Sequence, residues 1–170
     1  VLDNDAYDRG TSVYLVDRVI PMLPHKLSNG ICSLNPNEDR LALSCVMNIN
    51  SKGYVINYKI FKSVIRSRKQ MTYNCVNDIL EKNIIPNGYE EFVDDLKLMN
   101  ELSNILRKKM VNHGYLEFNR PEPKILVDEK CHPYKIELRK QLTGEKLIEN
   151  FMIVANETVA GFIEDKKLPG

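Results

Sequence analysis

Glu149 stands in the run LIENFMI, with Leu147, Ile148, Phe151, Met152 and Ile153 around it on a segment that, wound as a helix, is apolar almost all round. A helix of that kind is expected to be buried, and a carboxylate carried into an interior needs a partner, because desolvating a lone charge is strongly unfavourable. An internal salt bridge would meet that need and make the residue structural. Asn156, seven residues further along, falls on the same helical face and is a second polar group within reach.

The other chemistry-bearing residue types form no reactive constellation. His25, His113 and His132 have no serine, cysteine or acid at a spacing that suggests a triad. Cys32, Cys45, Cys75 and Cys131 form no CxxC and no His/Cys pattern suited to zinc, and read as reduced thiols. Asp3, Asp5 and Asp8 in LDNDAYD read as acids at a helix start, where negative charge is favoured.

Charge is balanced, with 24 basic against 23 acidic residues, so there is no overall basic field of the kind that marks nucleic-acid binders. Any positive surface is local. Lys52, Lys59, Lys62, Arg66, Arg68 and Lys69 form an acid-free stretch interleaved with Tyr54, Tyr58 and Phe61. Such a strand either tracks a phosphate backbone or presents a solvated charged face with its aromatics in the core, and the second is the commoner arrangement. No run approaches the length of a membrane span and no secretory leader pattern is present, so a cytoplasmic, non-membrane protein is expected.

The elements that would position these groups follow from periodicity and punctuation. Asp3 predicts a capped helix over 4–15, after which Pro21 and Pro24 impose an extended, turning path. Residues 40–50 and 54–67 read as a hairpin around Ser51-Lys52-Gly53, and 124–128 with 134–138 as another. Thr72 caps a helix carrying Val76, Ile79 and Leu80, broken at 83–88. A longer helix spans 89–113, with Phe92, Val93, Leu96, Leu98, Met99, Leu102, Ile105, Leu106 and Met110 near a 3.6-residue repeat, Arg107, Lys108 and Lys109 late and Gly114 at the stop. A last helix runs from Thr143 to about Glu164. Strands and helices do not alternate, so the predicted class is α+β, with a mostly antiparallel sheet built from hairpins and packed helices.

Five collinear blocks carry a resemblance: RGTSVYLVDRVIPMLPHKLSNGICSLNPNEDRLALSC at 9–45, SVI at 63–65, MTYNCV at 71–76, HGYLEFNRPEP at 113–123 and EKLIENFMIVANETVA at 145–160. In this order they resemble the catalytic (RNB) domain of the ribonuclease II and ribonuclease R family, which hydrolyses RNA from its 3′ end. RGTSVYLVDRVIPMLP places the likeness nearest bacterial ribonuclease R.

The resemblance implies a partial RNB-type fold, the central part of the domain over residues 1–170, truncated on both sides. In the family a cluster of aspartates spaced roughly as DxxxxxDxDD binds Mg²⁺, and it lies upstream of this segment. No catalytic residue and no metal ligand is therefore expected within the chain, and by itself it is expected to be inactive. For RNA binding the resemblance nominates Tyr14 as a ring that stacks on a base near the 3′ end and Phe118 as the opposing wall. It also nominates Glu149 as acceptor for the ribose hydroxyls of the terminal nucleotide, and Tyr73 as a further aromatic beside the path. Arg40 also matches the family pattern, which assigns it no definite role; a bidentate pair with one of the acids neighbouring Asp39 or with Glu149 is one arrangement open to it. Single-stranded RNA is the implied partner. An RNA-binding or interaction module that keeps the fold and has lost catalysis is the alternative, and self-association through exposed core surfaces is a further expectation.

Overall fold

Gly10 ends the first helix sooner than the predicted residue 15. In the computed structural model, which describes residues 1–116 and 122–168, α1 covers Leu2–Arg9 and stops at Gly10, whose φ of 67° suits glycine and strains other residues. Its start is uncapped at Val1, so Asp3 lies in the first turn with Asp5 instead of capping it. The predicted continuation to residue 15 is replaced by an extended path: Val13–Tyr14 (β1) pairs antiparallel with Val19–Ile20 (β2), in register Val13↔Ile20 and Tyr14↔Val19. The proline-containing stretch then leads into a wide π-helical turn, Lys26–Ile31.

The remaining elements follow the sequence reading closely. Strands β3 (Asp39–Ile49) and β4 (Val55–Arg66) form the first long hairpin, and β5 (Glu122–Val127) pairs antiparallel with β6 (Pro133–Arg139). Thr72 Oγ1 accepts from Cys75 N–H to cap α2 (Tyr73–Lys82), and Asn83 closes it in the left-handed region. A single 3₁₀ turn at Glu90–Phe92 precedes α3 (Val93–Asn112), and α4 covers Thr143–Asp165. The class is α+β with antiparallel hairpins, and among the described residues the strands lie in three separate two-stranded ladders.

Two compact units result. The first comprises Val1–Ala42, Val64–Gln70 and Asn119–Lys140, and none of its described side chains is buried. Local hydrogen bonds hold its elements: Met22 N–H donates to Ser12 Oγ (3.0 Å), Arg9 Nη1 to the Pro21 carbonyl (3.0 Å), and Asp128 Oδ1 accepts from both Lys130 and His132 N–H in the β5–β6 turn.

The second unit, Leu43–Ser63, Met71–Phe118 and Gln141–Gly170, holds the core. Val76, Ile79, Tyr89, Phe92 and Leu96 form its centre, and α4 packs on both α2 and α3. On α3 the buried residues are Leu96, Ser103 and Leu106, a stripe at helical spacing, whereas Leu98 faces out. On α4 the stripe is Gly144, Leu147, Asn150, Val154 and Thr158. The expectation that α4 is apolar all round and buried is not met: Ile148 and Met152 are exposed, Met152 by 58%.

Three buried polar side chains lock these helices together. Asn77 Oδ1 accepts from Gly144 N–H at 2.6 Å while its Nδ2 donates to Glu145 Oε2 at 3.1 Å. Asn150 Nδ2 donates to Ser103 Oγ at 2.8 Å. At the surface of the same seam, Glu81 Oε1 accepts from both the hydroxyl (2.7 Å) and the N–H (2.9 Å) of Thr143.

That last link predicts an acid-sensitive seam. The Thr143 hydroxyl, and after it the Thr143 N–H, hold the Glu81 carboxyl below its ordinary value. Since the folded-state value is the lower one, the link stabilises fully above the titration range of the unfolded chain and is lost as pH falls through the folded-state value. Unfolding midpoints measured from neutral pH to about pH 3 should fall less steeply for Glu81→Gln than for the parent over about pH 5 to 3. Parallel curves for the two proteins would rule the link out.

Candidate nucleic-acid interface

In the first unit, the β1–β2 hairpin presents Tyr14. Leu15 N–H donates to the Arg18 carbonyl at 2.8 Å, which closes the turn, and the two-residue ladder leaves the Tyr14 ring 78% exposed. The residue sits on a strand and not, as the sequence suggests, within a helix. Val13, Leu15, Val16, Val19 and Ile20 around it are also exposed, so the hairpin offers an apolar, aromatic-centred surface. A ring in that setting is available for stacking, and it contributes nothing to a core.

Arg40, also in this unit, pairs with Glu38, a neighbour of Asp39, through Nη2 alone, so the pair is not bidentate. Its Nε donates to the Ser33 carbonyl at 2.9 Å and its Nη1 to the Asp39 carbonyl at 3.0 Å. The guanidinium thus ties the turn before β3 to the strand itself, which is a structural task.

In the second unit, Glu149 is half-buried on α4, one residue or about 100° away from the buried stripe. Its partners are neutral donors. Glu149 Oε1 accepts from Tyr115 Oη–H at 3.2 Å, and Oε2 accepts from Gln141 Nε2. Tyr115 lies just past the end of α3, where its N–H donates to the Met110 carbonyl at 3.1 Å, and the Arg107 guanidinium covers its ring at 4.5 Å. The buried polar residues of α4 are Asn150 and Thr158, which the hydrophobic pattern around Glu149 does not single out. Asn156 is exposed.

Tyr73 is the first residue of α2 and is 43% exposed, so its ring borders solvent instead of filling the core. Phe118 lies outside the described residues. The aromatics at and before β4 are not core residues either: Tyr54, Tyr58 and Phe61 are all partly exposed, with Lys59 Nζ 5.5 Å from the Phe61 ring centre and Tyr58 edge-on to Phe162. Sequence reasoning missed Tyr115 and Gln141. Both lie next to helix ends in sequence, and only their approach to Glu149 marks them.

Among the described residues no three His, Cys, Asp or Glu side chains gather closely enough to hold a metal ion. Asp3, Asp5 and Asp8 are exposed along α1. These residues do not fit a Mg²⁺ site. No described helix is long and apolar enough to cross a membrane, and the four cysteines are free thiols.

The fold and sequence together define a family: the chain belongs to the RNB domain family, whose model matches residues 1–170. It is 46% identical over 175 residues to ribonuclease R 2 of Lactococcus lactis, covering 99% of this chain and 26% of that protein. Ribonuclease R of Thermotoga maritima is 47% identical over 169 residues, covering 99% of this chain and 24% of that protein. The structure superposes with a TM-score of 0.91 on Mycoplasma genitalium RNase R in complex with ribose methylated single-stranded RNA, at 34% identity, over 98% of this chain and 26% of that one. The chain therefore spans about a quarter of the length of these relatives.

Proposed function

We propose that the chain is the central part of the RNB catalytic domain of a longer, hydrolytic 3′-to-5′ exoribonuclease, in which it clamps the 3′-terminal nucleotides of single-stranded RNA and recognises the last ribose. The observation that carries this reading is identity of 46% to a ribonuclease R across 99% of the chain, and the bared ring of Tyr14 supports it. The Mycoplasma neighbour's complex with single-stranded RNA points to the same class of ligand.

Tyr14 stacks on a base, a contact that tolerates any sequence because every base has a π-face. By the family resemblance, Phe118 is a further ring assigned to base stacking. Glu149 accepts hydrogen bonds from the ribose hydroxyls, the groups that distinguish RNA from DNA, and Tyr73 borders the same path. The magnesium that would activate water belongs, on this reading, to aspartates of the longer polypeptide. What this chain does is hold the strand end in place. The apolar side chains exposed here, Leu41, Leu43, Ile136 and Leu138 among them, are surfaces through which the chain alone would self-associate.

Tyr14→Ala in the full-length protein tests the clamp. Losing one base stack, worth about 1–3 kcal/mol, should weaken binding of a single-stranded RNA 3′ end by roughly 5- to 150-fold. Unchanged affinity, measured by fluorescence anisotropy on a metal-free sample, would show that the ring does not touch RNA.

A further inference from the structure

We infer that Tyr115 is a positioning residue for ribose recognition, with Gln141 as its weaker counterpart: together they fix the orientation of the Glu149 carboxylate. The inference rests on the reading of Glu149 as the ribose acceptor and adds to it the groups that hold that acceptor in place.

A carboxylate has about four acceptor positions, two on each oxygen. Tyr115 Oη–H occupies one on Oε1 and Gln141 Nε2 occupies one on Oε2. One position remains on each oxygen, which matches the two adjacent hydroxyls of a terminal ribose. A single donor would leave the carboxylate free to turn about its last torsion, whereas donors on both oxygens stop it. A carboxylate held in this way loses little freedom when the diol arrives and meets both hydroxyls at once.

The two donors are not equally rigid. Tyr115 is half-buried, its backbone is tied to Met110, and its ring lies under the Arg107 guanidinium at 4.5 Å. A tyrosine also has only two rotatable side-chain bonds. Gln141 is exposed on a longer side chain just ahead of α4, so more of the ordering falls to Tyr115. Both donors are neutral, so neither sets a countercharge against the carboxylate.

The test compares kcat/KM of the full-length protein on two oligoribonucleotides that differ only in a ribose or a 2′-deoxyribose at the 3′ terminus. Tyr115→Phe keeps the ring and its contact with Arg107 and removes one O–H. Its ribose preference should fall roughly tenfold, the size of one weakened hydrogen bond to a charged group, with the thermal midpoint nearly unchanged. Gln141→Leu, at an exposed position, should fold normally and lose preference severalfold, so the inference stays testable if the tyrosine variant is unstable. Glu149→Gln serves as the reference. If it abolishes the preference while Tyr115→Phe and Gln141→Leu keep theirs, or lower both substrates equally, the positioning role is wrong and the ribose reading stands. If Glu149→Gln keeps full preference, the ribose reading fails and the positioning role goes with it.

Discussion

Ile79→Ala should lower the free energy of unfolding by about 2–5 kcal/mol, the range for removing a buried isoleucine to its β-carbon. Ile79 is 1% exposed and is the largest completely enclosed side chain among the described residues, packed with Val76, Tyr89, Phe92 and Leu96. The loss combines hydrocarbon returned to water with a void that these rings cannot fill, since aromatic side chains pack as rigid plates. For a protein of this size each kcal/mol moves the midpoint by about 2–4 °C, so differential scanning calorimetry should show a fall of about 5–20 °C. A fall below about 2 °C would mean that the pocket collapses around the smaller side chain or that α2 is seated differently. The same variant should lower turnover of ribose-ended and 2′-deoxyribose-ended substrates equally, through loss of folded protein. The preference of the molecules that remain folded should be intact.

Asn77→Ala should cost about 2–4 kcal/mol by a different route. Asn77 is buried, and both ends of its amide are used: Oδ1 receives Gly144 N–H at 2.6 Å and Nδ2 reaches Glu145 Oε2 at 3.1 Å. Alanine leaves the Gly144 N–H buried without an acceptor, and an orphaned donor costs about 1–3 kcal/mol before the lost bond to a carboxylate is added. Gly144 also shows how close the fit is, because a β-carbon there would lie 3.0 Å from Asn77 Oδ1. Asn77→Asp separates the two contributions. It keeps an acceptor for Gly144 but sets a second carboxylate beside Glu145, so denaturant titrations should find it destabilised at neutral pH and partly recovered in acid. Equal stability of Asn77→Ala and the parent would show that water replaces the amide at little cost.

Local signals were read well wherever the physics was local. Thr72 capped its helix, Asn83 ended it, and Ser51-Lys52-Gly53 turned a hairpin, because each depends on residues within a few positions. Arg40 found an acid two residues away. The amino-terminal helix stops at Gly10, short of the residue 15 that the sequence predicts, and Tyr14 therefore lies on a strand.

The misreading of Glu149 has a clearer cause. Its apolar neighbours imply burial only if polar residues lie off the buried stripe, yet Asn150 and Thr158 lie on it. They are tolerated there because Asn150 is bonded to Ser103, 47 residues earlier in sequence, and the Thr158 hydroxyl donates to the Val154 carbonyl. Periodicity gives the repeat of a helix but not its phase when the stripe is partly polar, so a one-residue shift turns an interior carboxylate into a half-exposed acceptor.

From the amino-acid order alone come the family, the α+β class and the main helices and hairpins from β3 onward. Those properties depend on short-range sterics, capping and collinear motifs. Only the tertiary structure decided which face of α4 is buried, that Asn77 joins α2 to α4 across 67 residues, and that Tyr115 and Gln141 attend Glu149. Hydrogen bonds between residues so far apart leave no periodic trace in a sequence, because their partners are selected by packing and not by spacing.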